Sequence, residues 1–80
     1  MNTTVLTPEK ELYKGRALSV KVPGAQGQFE ILKGHAPIVS SLDTGEILIK
    51  EAGGNTIKFE IKGGFVEVLR NEVSLLVHQI

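Results

Sequence analysis

From Thr56 to Lys62 the side chains alternate without a fault. Ile57, Phe59 and Ile61 stand against Lys58, Glu60 and Lys62, and Gly63-Gly64 follows directly. A period of two puts successive side chains on opposite faces of an extended chain, so this run predicts a half-buried strand. The glycine pair predicts a bulge or sharp bend at its end.

The same pattern recurs along the sequence. Thr3 to Thr7 is short and β-branched, and Pro8 closes it. Glu9-Lys10-Glu11 is a polar link, and Lys14-Gly15 after Leu12-Tyr13 is a turn signal. Ala17 to Val22 predicts a strand with Leu18, Val20 and Val22 on one face. Gln28 to Leu32 predicts another, with Phe29 and Ile31 on one face and Gln28, Glu30 and Leu32 on the other. Ile38 to Leu42 and Glu46 to Glu51 are separated by the turn Asp43-Thr44-Gly45. Gly53-Gly54-Asn55 makes a hairpin turn into Thr56 to Lys62. Phe65 to Leu69, a turn at Asn71-Glu72, and Val73 to His78 complete the chain. Thr7 to Leu12 has helix-capping chemistry but only one turn of length, too short for a helix. The expectation is one all-β domain over residues 1–80: a two-layer β-sandwich or flattened barrel of about eight to ten short strands.

Composition narrows the function classes. Nine basic and nine acidic residues are intermixed and the net charge is zero, which leaves no basic stripe for a nucleic-acid backbone. No apolar run approaches the ~20 residues of a membrane helix, and no signal peptide is visible, so a soluble, intracellular protein without direct membrane insertion is expected. There is no Cys, hence no disulfide and no thiolate site. A domain of this size buries only about 60–65% of its unfolded surface, so its stability rests on a compact core or on a partner.

The departures from alternation gather between Val22 and Leu42. That stretch holds Pro23, Gly24, Gly27, Gly34, His35 and Pro37. Several chemistries suggest themselves there, and each fails. His35, Ser40, Ser41 and Asp43 contain the residue types of a triad, but a strand over 38–42 points the two serines to opposite faces. Two strand serines and a turn aspartate are the plainer reading. His35 and His78 lack a third metal ligand. Gly24-Ala25-Gln26-Gly27 matches a GxxG loop, but strand patterns flank it where helices would be needed. Gly27 to Gly34 ends in Gly-His-Ala, not Gly-Lys-Ser/Thr, so it is no phosphate loop. No pair of acids is set apart by apolar context as a glycosidase requires. No cofactor, metal or catalytic residue is expected. Gln28, Glu30, Leu32 and His35 instead offer a mixed polar surface.

The order of these signals matters. It runs Val22-Pro23-Gly24-x-x-Gly27-x-Phe29-x-Ile31-Leu32-x-Gly34-His35-Ala36-Pro37-x-Val39-x-x-Leu42, then Gly45-x-Ile47-x-Ile49. Phe59-x-Ile61-x-Gly63-Gly64-Phe65-x-Glu67-Val68 and Asn71-x-Val73-Ser74-Leu75-Leu76 follow. This resembles the N-terminal domain of the epsilon subunit of F-type ATP synthases, from about Thr3 to Val77. The resemblance implies a non-catalytic β-sandwich in the rotating central stalk. It would bind the gamma subunit and the polar loops of the c-ring, and couple ring rotation, driven by protons or sodium ions, to ATP synthesis. It also implies a peripheral place at the cytoplasmic face of a bacterial plasma membrane.

By that resemblance the gamma-facing positions fall on Thr7, His35 and Ser40. The ring-facing ones fall on Ala25, Gln26, Gly27, Gln28, Phe29 and Glu30. Pro23, Gly24, Gly34, Pro37, Gly63 and Gly64 set the turns. Some relatives carry a glutamate where this chain has Gln28, and Glu30 is expected to take over its carboxylate role. Relatives continue as a helical hairpin after the last strand. The sequence is expected to be a natural short form without it. A lipoyl or biotinyl carrier domain is the alternative of similar size, but it needs a lysine at a hairpin tip, and the tip at Gly53-Gly54 follows Glu51-Ala52.

Overall fold

A computed structural model describes all 80 residues and contains only strands and turns. There are seven strands: β1 (Asn2–Leu6), β2 (Glu11–Val22), β3 (Phe29–Leu32), β4 (Ile38–Leu42), β5 (Gly45–Glu51), β6 (Thr56–Leu69) and β7 (Glu72–Gln79). Two of them are long, β2 with 12 residues and β6 with 14, and each serves two layers. The first half of β2 pairs with β1, and its second half with β3 and β5. The first half of β6 pairs with β5, and its second half with β4 and β7. One layer is therefore β4–β6–β7–β1–β2 and the other β3–β2–β5–β6. Counting the two shared strands in both layers gives nine strand segments from seven strands. The strand-rich sandwich read from the alternation is what forms, with bent strands making the corners.

Four local expectations are corrected. Lys14-Gly15 is not a turn; it lies within β2, opposite Thr4 and Thr3. Gly15 suits that place because the Tyr13 ring, two residues back on the same face, lies across it. A Cβ there would come within 2.5 Å of the Tyr13 hydroxyl. Leu18 is exposed rather than buried with Val20 and Val22. A bulge between Ala17 and Ser19 in the pairing with β5 reverses the alternation at that point. Finally, Thr56 to Lys62 and Phe65 to Leu69 are one strand. The register shifts between Ile61 and Gly63, so the glycine pair bends β6 without ending it. Gly64 has φ +147°, and a Cβ there would run into the Leu76 carbonyl oxygen. The last turn also falls one residue earlier than expected, on Arg70 and Asn71, both at positive φ, and Glu72 already belongs to β7.

Between the layers lies one core built from the inward positions of all seven strands: Val5; Ala17, Val20 and Val22; Ile31; Leu42; Ile47 and Ile49; Ile61, Val66 and Val68; Val73, Leu75 and Val77. The N-terminal residue is tied in. Its ammonium donates to the Ala17 carbonyl at 3.0 Å, and the Ala17 N–H donates to the Met1 carbonyl at 2.9 Å. β1 runs parallel to β7 and antiparallel to β2, which closes the sheet on itself.

Candidate docking surfaces

The outer face of the β4–β6–β7–β1 layer follows from register. Leu6 is opposite Leu76, Leu76 opposite Phe65, and Phe65 opposite Ser41. One row along, Thr4, Ser74, Glu67 and Val39 align in the same way. Side chains directly across a sheet share a face, so Leu6, Leu76 and Phe65 form a continuous apolar row with Val39 diagonal to it. Val39 is 70% exposed, Phe65 49% and Leu76 38%. That is a contiguous apolar patch on a small chain, not the scattered single residues normal for a surface. The hollow between these side chains is only about 200 Å³. That is below the range of a small-molecule site, so the feature is a contact face and not a pocket.

Sequence reasoning missed all four residues. A signal for them was present in the doublets Val5-Leu6, Ile38-Val39 and Leu75-Leu76, and in Phe65-Val66. In a strand with one solvated face, one member of each such doublet should be polar.

Of the three positions expected to face gamma, Thr7 adjoins this patch at the end of β1. It also caps the β1–β2 turn. Its Oγ1 accepts from the Lys10 N–H at 3.1 Å and the Glu9 N–H at 3.3 Å, while its own N–H donates to the Lys10 carbonyl at 2.8 Å. Ser40 is half-buried, in the inward row with Val66, Leu75 and Val5. Its neighbours Val39 and Ser41 are the outward residues of β4. His35 lies in the loop before β4, away from the row formed by Leu6, Leu76 and Phe65.

The second surface is the loop between β2 and β3. The Asp43 N–H donates to the Pro23 carbonyl at 2.8 Å, the Ala25 N–H to the Ser41 carbonyl at 2.9 Å, and the Gly27 N–H to the Gly24 carbonyl at 2.9 Å. These bonds clip the loop to the end of β4, where Gly24 forms a bridge with Leu42. Gly24 is buried beneath the Phe29 ring; a Cβ there would stand 2.8 Å from it. Phe29 also meets His35, with ring centroids 6.4 Å apart and planes inclined by 32°. His35 is held by its N–H to the Leu32 carbonyl at 3.0 Å, and its Nδ1 lies 2.7 Å from the Ala36 carbonyl oxygen. Phe29 thus joins the 23–28 and 33–37 loops into one end of the molecule. Ala25, Gln26, Gly27, Gln28 and Glu30 are exposed there, while Phe29 is half-buried as the loop's anchor. Glu30 stands opposite Lys21 across the sheet. Gln28 also shares a hollow with Asp43 and Glu46, two carboxylates of the adjoining turn and strand.

Neither end carries a catalytic arrangement. Ser40 Oγ bonds the Ser41 carbonyl at 3.3 Å and His35 bonds its own loop, so neither is turned toward the other as base and nucleophile. No group of three or more His, Cys, Asp or Glu is placed to hold a metal. A wider groove beside Thr7, lined by Lys10, Lys62, Gly63, His78 and Gln79, is open and polar, with Val77 its one apolar contact. The β5–β6 hairpin tip, Ala52-Gly53-Gly54-Asn55, presents no lysine for a carrier group. No helix is long and apolar enough to cross a membrane.

A family model for the β-sandwich domain of the ATP synthase delta/epsilon chain matches residues 1–80. The chain belongs to that family. It is 45% identical over 76 residues to the ATP synthase epsilon chain of Leptospira borgpetersenii, covering 95% of this chain and 59% of that one. To the ATP synthase epsilon chain of Chlorobium limicola it is 37% identical, covering 95% of this chain and 86% of the other. The chain thus spans a little over half of the Leptospira relative and most of the Chlorobium one. The fold is shared with a chain of the Euglena gracilis mitochondrial ATP synthase (OSCP/F1/c-ring, rotational state 1). The TM-score is 0.90 at 20% identity, over 96% of this chain and 49% of that one. A chain of the Tetrahymena thermophila mitochondrial ATP synthase central stalk and c-ring matches with TM-score 0.79 at 22% identity, over 99% and 63%.

Proposed function

We propose that this domain is a non-catalytic rotor part of an F-type ATP synthase that joins the gamma subunit to the c-ring and transmits rotation between them. The observation that carries the reading is the division of its surface. One layer presents the apolar face Leu6, Leu76, Phe65 and Val39, and one end presents the polar, braced loop Ala25 to Glu30. Both lie on a small closed sheet whose strands share residues between layers, which suits a part that must pass torque without deforming.

The apolar face, with Thr7 at its rim, is the gamma side. Burial of exposed Phe65, Leu76 and Val39 supplies the attraction, at about 25 cal/mol per Å² of apolar area removed from water. The loop end is the ring side, where Gln26 and Gln28 offer hydrogen bonds and Glu30, Asp43 and Glu46 offer carboxylates to a polar or basic loop. The carboxylate that some relatives hold at the position of Gln28 is supplied here by these neighbours. On this reading the domain sits peripherally, at the cytoplasmic face of a bacterial plasma membrane, on a ring that carries protons or sodium ions.

Reconstitution with gamma and the c-ring tests this. The chain should co-purify with gamma, and Phe65→Ser should lose binding by at least tenfold while the isolated domain keeps its melting behaviour. Equal gamma binding by Phe65→Ser would overturn the assignment of that face, and failure of the unaltered chain to bind gamma would overturn the function.

A further inference from the structure

The two free sheet edges of this molecule are treated differently. β3 pairs only with β2, and β4 only with β6. Natural edges are blunted by charge, proline or a bulge, because open N–H and C=O groups recruit other strands. β3 obeys that rule: it is four residues long, carries Glu30 and is followed by Lys33. β4, Ile38-Val39-Ser40-Ser41-Leu42, has no charge and no bulge.

One outward group of β4, the Ser41 carbonyl, is already used. In an antiparallel ladder the N–H and C=O of one residue point the same way, and the direction alternates along the strand. Ser41 points away from β6, since its carbonyl accepts from Ala25. Val39, two residues earlier, therefore turns its N–H and C=O outward as well, and nothing in the chain meets them. Pro37, two earlier again, offers a carbonyl only. The open edge is the full residue Val39 with the Pro37 carbonyl on one side and, under the Ala25 loop, the Ser41 N–H on the other; it lies at the rim of the apolar face and carries the most exposed large apolar side chain of the chain, Val39.

We infer that this edge of β4 takes a short extended, uncharged segment of the gamma subunit as an added antiparallel strand, hydrogen-bonded at Val39. The inference rests on the gamma reading above and deepens it. A second copy of the chain does not fit. A self-pair centred on Val39 must bring Pro37 of the other copy opposite Ser41, where Ala25 already sits. Sliding the pair the other way sets Pro37, which has no N–H, against Val39. The loop of residues 23–27 thus blocks self-pairing while leaving room for a strand that ends at Val39. The continuity of the edge with the apolar face selects the partner seated there.

Amide hydrogen exchange followed by NMR tests this in the free chain and in its complex with gamma. The Val39 amide should exchange rapidly in the free chain, unlike Ser40, whose N–H faces β6. In the complex it should slow by roughly a hundredfold or more. A synthetic chain N-methylated at Val39 should keep the melting curve of the free domain, because that N–H has no intramolecular partner. It should bind gamma about fivefold or more weakly. Unchanged Val39 exchange in a complex that forms normally overturns strand addition and leaves the gamma reading standing. Absence of any complex with the unaltered chain overturns both. A dimer of the free chain with a protected Val39 amide overturns the choice of occupant.

Discussion

The Tyr13 hydroxyl donates to Glu51 Oε2 across 2.5 Å, fastening the first half of β2 to the end of β5. Tyr13 also meets Phe59 edge to face, with centroids 6.4 Å apart, so three strands converge on this one side chain. Burial, the hydrogen bond to Glu51 and the charge of Glu51, in that order, push the Tyr13 pKa from 10.0 up to about 12. The unfolded chain would release this proton near pH 10 while the folded chain still holds it. The unfolded state then binds fewer protons, and stability must fall as pH rises. The contribution is fully present below pH 10 and is lost between pH 10 and about 12. Because Tyr13 is the only tyrosine, tyrosinate absorbance reads it without interference. The native titration should sit well above that of the urea-unfolded chain, and Tyr13→Phe should flatten the alkaline fall in melting temperature. Coincident native and unfolded titrations would exclude the bond as a stabilising contact.

Gly64→Ala should be among the most damaging single-methyl changes in the chain. The backbone there is at φ +147°, and the new Cβ would meet the Leu76 carbonyl and lie 2.9 Å from Val77 Cα. Those are backbone atoms of the β7 ladder and cannot swing aside as a side chain would. A loss of about 2–4 kcal/mol by urea unfolding is expected. Gly53→Ala, with nothing near its position in an exposed turn, should change stability by less than about 1 kcal/mol.

The alternation legible in the sequence is the core seen in the structure. Ile47 and Ile49, Ile61, and Val73, Leu75 and Val77 are buried where period two puts them. What the pattern could not show depends on contacts across strands. Gly15 reads as a turn until the Tyr13 ring is seen lying over it. Leu18 reads as core until the bulge beside it is known. The long strand β6 reads as two pieces because a glycine pair is a bend signal whether or not pairing continues through it. The candidate surfaces follow the same logic. Turn residues announced the loop at Pro23 to Gln28, but the apolar face required register to bring Leu6, Leu76, Phe65 and Val39 together from four strands.

Leu75→Ala removes a fully buried side chain from the middle strand of the larger layer. Such truncations cost about 2–5 kcal/mol through lost transfer energy and the cavity left behind. In a domain of 80 residues that is a large share of the total, so the variant should melt at markedly lower temperature and expose its core to a hydrophobic dye. Leu76→Ala, the neighbouring residue on the exposed face, should cost less than about 1 kcal/mol while weakening gamma binding. Equal stability losses for the two would contradict the assignment of faces in β7.

At the end formed by the Ala25 to Glu30 loop the test is charge reversal. Glu30 is exposed on β3, opposite Lys21 but not ion-paired with it; the one ion pair of the chain joins Lys58 to Glu46 at 3.7 Å. Glu30→Lys therefore leaves the fold intact and places two ammonium groups side by side near the Gln28 loop. If the loop end docks on polar or basic ring loops, the substitution should lower ATP-driven ion pumping relative to hydrolysis in the reassembled enzyme. The loss should grow at low ionic strength, where surface charges are least screened. A rim charge contributes about 1 kcal/mol or less, so a few-fold loss of coupling is expected and not abolition. Pumping equal to that of the unaltered chain at both low and high salt would remove Glu30 from the ring contact and leave that role to Asp43 and Glu46, the carboxylates that share the hollow with Gln28.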